Sequence, residues 1–209
     1  MNMSTLFRTE QEAFWAGDFG NEYIKRNTDD RWLAANISLF CKALGHARNL
    51  KSCIEFGANI GLNLRALQAL YPGMEQHAVE INQAAADKLG TVIAEKNVFR
   101  ASILDFMPQR TWDLVLIKGV LIHINPDTLG AVYQVMHRSS HRYICLVEYY
   151  NPTPVEVAYR GQTGKLFKRD FAGEILDRYP DLRLVDYGFV YHRDPNFPQD
   201  DSTWFLMEK

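Results

Sequence analysis

Ser52-Cys-Ile-Glu-Phe-Gly-Ala-Asn-Ile-Gly61, followed at once by Leu62-Asn-Leu-Arg-Ala-Leu-Gln-Ala-Leu70, decides the fold. Ser52 to Phe56 reads as a short buried strand, and Gly57 to Gly61 breaks it. Apolar residues at helical spacing then run to Leu70, where Tyr71-Pro72-Gly73 stops the helix. The same unit recurs outward from this point. His77 to Ile81 is a strand, Gln83 to Leu89 a helix closed by Gly90, and Val98 to Ile103 and Trp112 to Lys118 are strands. Pro126 to His137 is a helix with proline in its first turn, and Arg142 to Tyr149 is a fifth strand. Ahead of them, Arg31 to Ala47 has an amphipathic pattern that Asp29 or Asp30 can cap.

Short apolar strands alternating with helices require right-handed crossovers, and hence a parallel sheet covered on both faces. Asn151 to Arg169 departs from this pattern, being rich in Pro, Gly, Tyr and Lys. Asp170 to Tyr179 is helical, and Leu182 to Tyr191 with Thr203 to Met207 form the most economical closing hairpin. The expectation is a doubly wound α/β domain spanning residues 1–209, with a seven-stranded, mostly parallel sheet closed by an antiparallel hairpin.

Composition narrows the function. Of 209 residues, 47% are hydrophobic and 23% charged, which is ordinary for a globular protein. A net charge of -2 offers no cationic field for nucleic acid. The longest apolar run, Tyr143 to Val147, is far short of the roughly 20 residues of a membrane span. The first residues lack the apolar core of a secretory signal, so a cytoplasmic setting is expected. Cys41, Cys53 and Cys145 are an odd number in apolar segments without C-x-x-C spacing, and read as buried reduced thiols rather than a disulfide framework or zinc site. No H-E-x-x-H or G-x-S-x-G string occurs, and no metal is expected.

In such sheets ligands bind at the carboxyl ends of the strands, and the first strand-to-helix turn usually contributes. Gly57 lets the chain turn under a ligand, and Gly61 lets the next helix pack close. Asn59 stands where a dinucleotide site would place another glycine, which disfavours a nicotinamide-dependent oxidoreductase. Glu55 before the loop and Glu80 at the end of the second strand suit a ligand with an ammonium group and a ribose diol. S-adenosylmethionine has both.

On Glu55-Phe-Gly-Ala-Asn-Ile-Gly61, Val79-Glu80, Ala101-Ser-Ile-Leu-Asp105 and Trp112-Asp-Leu-Val-Leu-Ile-Lys-Gly-Val-Leu-Ile-His-Ile124, the chain resembles the class I S-adenosylmethionine-dependent methyltransferases. These motifs span residues ~50 to 150 in the superfamily's order. The resemblance assigns Ser102 and Ile103 to the adenine, with Ser102 where many relatives carry an Asp that accepts from the exocyclic amine. It assigns Lys118 and Gly119 to the methionine part, and turns His123 toward the substrate.

A closer resemblance covers nearly the whole chain. Phe14-Trp-Ala-Gly-Asp-Phe-Gly-Asn-Glu-Tyr-Ile-Lys-Arg-Asn27, Glu148-Tyr-Tyr-Asn-Pro-Thr-Pro154, Tyr159-Arg-Gly161 and Lys165-Leu-Phe-Lys-Arg-Asp-Phe171 look like the pseudaminic acid biosynthesis-associated methyltransferases. The implied reaction is methyl transfer to a nitrogen or oxygen of a small polar metabolite, such as a modified or nucleotide-activated sugar, with S-adenosylhomocysteine as product.

Residues 1–30 then read as a lid that brings Tyr23, Arg26 and Asn27 to the cofactor, with Arg26 on its carboxylate and Phe14, Trp15 and Phe19 as anchors. Residues 150–170 read as a substrate loop. Tyr150, Asn151, Tyr159, Arg160 and Lys165 are its acceptor-binding candidates, the basic ones suited to a carboxylate or phosphate. His123 is the first choice of general base, with Glu148 and Tyr149 behind it. A non-catalytic binding module on the same fold is the remaining alternative, and the sequence carries no sign of oligomeric state.

Overall fold

The computed structural model describes residues 7–26 and 30–209. Its main sheet has the strand order β3-β2-β1-β4-β5-β9-β8. The strands are β1 (Ser52–Phe56), β2 (Glu75–Glu80), β3 (Val98–Arg100), β4 (Trp112–Lys118), β5 (Ser140–Glu148), β8 (Arg183–Val190) and β9 (Ser202–Glu208). The first five are parallel; β9 is antiparallel to both its neighbours, so six strands run one way and one returns. The expected closing hairpin is therefore present, with β9 inserted between β5 and β8.

Period-two alternation splits the core into two layers. Ile54, Phe56, Val115, Ile117, Ile144 and Leu146 face α6 (Leu129–Ser139) and α7 (Phe171–Arg178). Cys53, Leu114, Leu116, Tyr143 and Cys145 face α3 (Asp30–Ala43), α4 (Leu62–Leu70) and α5 (Gln83–Leu89). With both faces covered, β1 is buried along its whole length. The chain leaves β1 in one direction to β2 and returns on its other side as β4, which opens a crevice at their carboxyl ends.

Several boundaries differ from expectation. β3 ends at Arg100, because the next residues close a turn in which Asp105 N donates to Ser102 O at 3.1 Å. Pro126–Thr128 forms a separate 3-10 turn ahead of α6. Residues 151–169 contain a small antiparallel pair, β6 (Val155–Glu156) with β7 (Phe167–Lys168). Two short helices, α1 (Glu10–Ala16) and α2 (Asp18–Ile24), occupy the N-terminal region. Cys41 is exposed, contrary to the buried thiol expected, while Cys53 and Cys145 are buried. Asp29 lies outside the described residues, as does the side chain of Asp30, and with them the expected cap of α3. Among the described residues no helix is long and apolar enough to cross a membrane.

Candidate functional site

A cavity of about 540 Å³ opens where β1, β2, β4 and β5 end. Its floor begins at the loop after β1, where Gly57 (φ +71°), Asn59 (φ +50°) and Gly61 (φ +82°) are all left-handed. Asn59 tolerates this conformation as a short polar residue, and its Oδ1 accepts from Ile60 N at 2.8 Å. A Cβ on Gly57 would come within 2.5 Å of Val120. One on Gly61 would meet Leu89 at 2.8 Å, so Gly61 seats the start of α4 and is not in the cavity wall.

Glu80 is buried at the end of β2 and lines the cavity. Its Oε2 accepts from Asn59 N at 2.7 Å and its Oε1 from Asn82 N at 2.8 Å, so the carboxylate binds the loop after β1 to the start of α5. Burial raises its pKa and the backbone N–H groups oppose this. A carboxylate offers about four acceptor positions, more than these backbone donors fill. Ile81, Ile103 and Leu104 supply apolar wall beside it.

Glu55 lies one layer deeper. It is fully buried, and Asn63 stands between it and the cavity, donating to Glu55 Oε1 at 2.6 Å and accepting from Asn36 at 2.9 Å. Burial pushes the Glu55 carboxyl up to about 8, against the pull of Asn63 and Lys118. Lys118 itself lines the cavity and is lowered by burial, with Glu55, Asp200 and Glu148 opposing. Asn63 and Asn36, and not Glu55, line the cavity at this point.

The opposite wall carries His123, Tyr149, Tyr159 and Arg160. His123 Nδ1 lies 2.6 Å from Lys165 O, and a carbonyl can only accept, so Nδ1 carries the proton and Nε2 a lone pair. Its ring sits between Trp15 at 4.6 Å and Tyr159 at 5.0 Å. Burial lowers its pKa to about 4, so the imidazole is neutral at neutral pH. Tyr149 donates its hydroxyl to Asp200 at 2.8 Å; Asp200 and Gln199, from the loop between β8 and β9, also line the cavity. Burial raises the Tyr149 pKa.

Several candidates stand elsewhere. Glu148 is 2% exposed and outside the wall, accepting from the N–H groups of Val120 and Leu121, each at 2.9 Å, and of Ile122 at 3.5 Å. This strand-end carboxylate turns inward to satisfy the turn that carries His123. Tyr150 is 44% exposed and packs near Phe205, and Asn151 bonds to Thr153 O at 2.5 Å. Lys165 is buried against Glu10, 3.1 Å away, and reaches the site only through its carbonyl. Ser102 lines the cavity, but its hydroxyl is engaged by Glu12. Asn27 lies outside the described residues.

Helices α1 and α2 supply Gln11, Glu12, Trp15, Gly20 and Tyr23 to the wall, with Arg26 just beyond, its guanidinium 5.7 Å from the Phe19 ring and 5.8 Å from the Tyr23 ring. Asn82 Nδ2 pins their junction, donating to Asn21 Oδ1 at 2.9 Å and Trp15 O at 3.2 Å. Gln11, Glu12, Asn63, Asn82 and Asp200 were not foreseen as site residues. Thr9-Glu-Gln-Glu12 carried a readable signal, since it has the capping-box spacing that the structure forms.

No protein-family model matches the chain, and no curated protein sequence matches it. The narrower sequence resemblance to the pseudaminic acid-associated group therefore gains no support from these comparisons. Solved structures do match. A Burkholderia thailandensis 1,6-didemethyltoxoflavin-N1-methyltransferase, with its acceptor and S-adenosylhomocysteine bound, is 17% identical, with a TM-score of 0.73 over 96% of this chain and 89% of that one. The magnesium protoporphyrin IX methyltransferase of Synechocystis PCC 6803, with bound S-adenosylmethionine, is 13% identical, with a TM-score of 0.66 over 100% and 98%. An N-methyltransferase of Bradyrhizobium japonicum WM9, with S-adenosylhomocysteine, is 13% identical, with a TM-score of 0.64 over 90% and 97%. At these identities the likeness concerns architecture, and the chain has the Rossmann-like fold of these methyltransferases.

Proposed function

We propose that this chain is an S-adenosylmethionine-dependent methyltransferase acting on a nitrogen or oxygen of a small polar metabolite. Glu80 carries the reading: a buried carboxylate that lines the cavity, an acceptor group held in place by the backbone N–H groups on either side, suits the hydroxyls of a ribose. The rest of the wall fits the same ligand. Ile81, Ile103 and Leu104 offer apolar surface for a base. A Cβ on Gly119 would meet nothing within 4 Å, which leaves open space at the end of β4 for the amino-acid portion. Arg26, at the cavity edge, suits a carboxylate. The bound ligands of the structural neighbours are of this class.

When bound, the cofactor supplies a methyl made electrophilic by its sulfonium. The chain's own residues have to orient the acceptor, exclude water and receive a proton. Neutral His123, with Nδ1–H fixed by Lys165 O, offers Nε2 to an acceptor N–H or O–H. Asp200 holds the Tyr149 hydroxyl at the wall of the same cavity. Glu148 fixes the turn under His123 and does not meet the acceptor. Arg160, with its guanidinium 5.6 Å from the Tyr159 ring, suits an anionic portion of the acceptor. Helices α1 and α2 act as the lid and residues 150–170 as the substrate loop of one domain. A sugar acceptor rests on the sequence resemblance alone.

Isothermal titration of the purified chain with S-adenosylhomocysteine, S-adenosylmethionine, NAD and NADP tests the reading. Binding of the first two without the nicotinamide nucleotides is expected. The reverse pattern replaces the methyltransferase with an oxidoreductase.

A further inference from the structure

Ser102 and Glu12 are 90 positions apart in sequence and joined by a hydrogen bond at the cavity wall, Ser102 donating to Glu12 Oε1. Leu104 N donates to Ser102 Oγ at 3.0 Å, which fixes the hydroxyl from the sheet side. From the helix side, Glu12 Oε2 accepts from Thr9 N at 2.9 Å and Glu12 N donates to Thr9 Oγ1 at 3.2 Å. The Glu12 carboxylate is thus held by both ends, is 7% exposed, and still lines the cavity. An ionised carboxylate offers about four acceptor positions, so an oxygen held by one strong donor remains open to another.

Glu12 meets the turn that starts at the end of β2, where Glu80 stands. Ala101 N donates to Glu80 O at 3.1 Å, so the turn bearing Ser102, Ile103 and Leu104 starts next to the ribose position proposed above. A base joined to that ribose must lie against the Ile81, Ile103 and Leu104 wall, and the Glu12–Ser102 pair is polar wall within the same turn. A carboxylate only accepts. It is complementary to the exocyclic amine of adenine and repels a base with a carbonyl oxygen at that position.

We infer that Glu12 reads the exocyclic amine of the bound nucleobase, so that this recognition group is delivered by α1 instead of by the sheet; the inference rests on the cofactor reading above. Ser102 is then a positioning residue that aims Glu12. Helix α1 also touches the substrate-loop segment, through Gln11 Nε2 to Gly164 O at 2.8 Å and Glu10 to Lys165. Seating the base and closing the acceptor wall therefore share one helix.

The test is calorimetric binding of S-adenosylhomocysteine and of its hypoxanthine analogue, S-inosylhomocysteine, to wild type, Glu12→Gln and Thr9→Ala. Wild type should prefer the adenine compound by roughly 10- to 100-fold, the range of a hydrogen bond to a charged group. Glu12→Gln, whose amide both donates and accepts, should bring the ratio near one. Thr9→Ala removes the cap but keeps the carboxylate, and should retain the wild-type ratio. Equal binding of both compounds by wild type, an unchanged ratio in Glu12→Gln, or a ratio lost equally in Thr9→Ala overturns the inference while leaving the cofactor reading intact. Binding of neither compound by wild type overturns that reading and the inference with it.

Discussion

Replacing Glu148 distinguishes a proton acceptor from a structural anchor. Its two short bonds, to Val120 N and Leu121 N at 2.9 Å, satisfy donors in a turn whose residues Leu121 and Ile122 are buried. Glu148→Ala orphans both. An unsatisfied buried donor costs about 1–3 kcal/mol, and of the two only Leu121 N is buried, so the variant should lose at least about 1–3 kcal/mol, a sizeable share of the ~5–15 kcal/mol of a typical domain. Glu148→Gln can keep an amide oxygen in the Oε1 position and should retain the fold and the affinity for S-adenosylhomocysteine.

The two variants also differ in pH dependence. Burial pushes the Glu148 carboxyl up to about 7, with the three N–H groups and Lys118 opposing. The unfolded carboxyl titrates near ~4.3, so between these values the native state holds the extra proton. Wild-type stability from this group therefore falls as pH rises from about 4.3 to about 7, then levels. Glutamine carries no such proton. The stability of Glu148→Gln relative to wild type should rise across that window, by about 4 kcal/mol at most. Urea unfolding followed by tryptophan fluorescence at pH 5, 6, 7 and 8 measures both effects. Wild-type stability in Glu148→Ala refutes the anchoring argument, and a Gln-to-wild-type difference that does not move with pH refutes the burial-raised carboxyl.

Gly61→Ala forces a Cβ into a left-handed residue and to within 2.8 Å of Leu89, and should destabilise by about 1–3 kcal/mol in the same unfolding assay. His123 should titrate near 4 when its ring carbons are followed by NMR in the free protein; a midpoint at 6 or above shows that the ring is not buried as described. Arg160→Ala should raise the Michaelis constant for an anionic acceptor by roughly tenfold while leaving S-adenosylhomocysteine affinity unchanged, and an unaltered constant removes the arginine from the acceptor wall.

Strand β1, helices α4 and α5 and strand β4 were legible to the residue because each is an apolar run bounded by glycine, proline or a change of period. Val98 to Ile103 was not, since Ile103 is apolar for packing against the core while its backbone closes a turn, and periodicity cannot separate those demands. The seven-residue helices α1 and α2 are too short to persist alone. They are held by a cluster of Phe14, Trp15, Phe19 and Tyr23, and by Asn82 more than 60 positions away. Gly57, Asn59 and Glu80 could be placed because strand ends and the following loops are local features. Glu148 could not: a carboxylate at a strand end can turn outward to ligand or inward to backbone, and the N–H groups that decide between them lie 26 to 28 residues earlier. Asp200 faces Tyr149 across 51 residues, a juxtaposition that appears only once β9 has entered the sheet.

The same long-range contacts alter how the two halves of the cavity relate. From the sequence, the nucleoside side and the acceptor side are separable, one held by the loop after β1 with Glu80, the other by residues 148–169. In the folded chain α1 touches both, through Ser102 on one side and Gly164 on the other, and Asn125 adds a contact to Gln11 at 3.4 Å. A coupling free energy between two sites is reciprocal, so any effect that a bound nucleoside has through α1 on acceptor affinity equals the effect of the acceptor on nucleoside affinity. His123 lies at the junction. Its proton is fixed by the carbonyl of Lys165, whose side chain pairs with Glu10 on α1, and its ring rests against Trp15 of the same helix. The group proposed to meet the acceptor is therefore held in part by the helix that also contacts the nucleoside side, so the two sides of the cavity share one support.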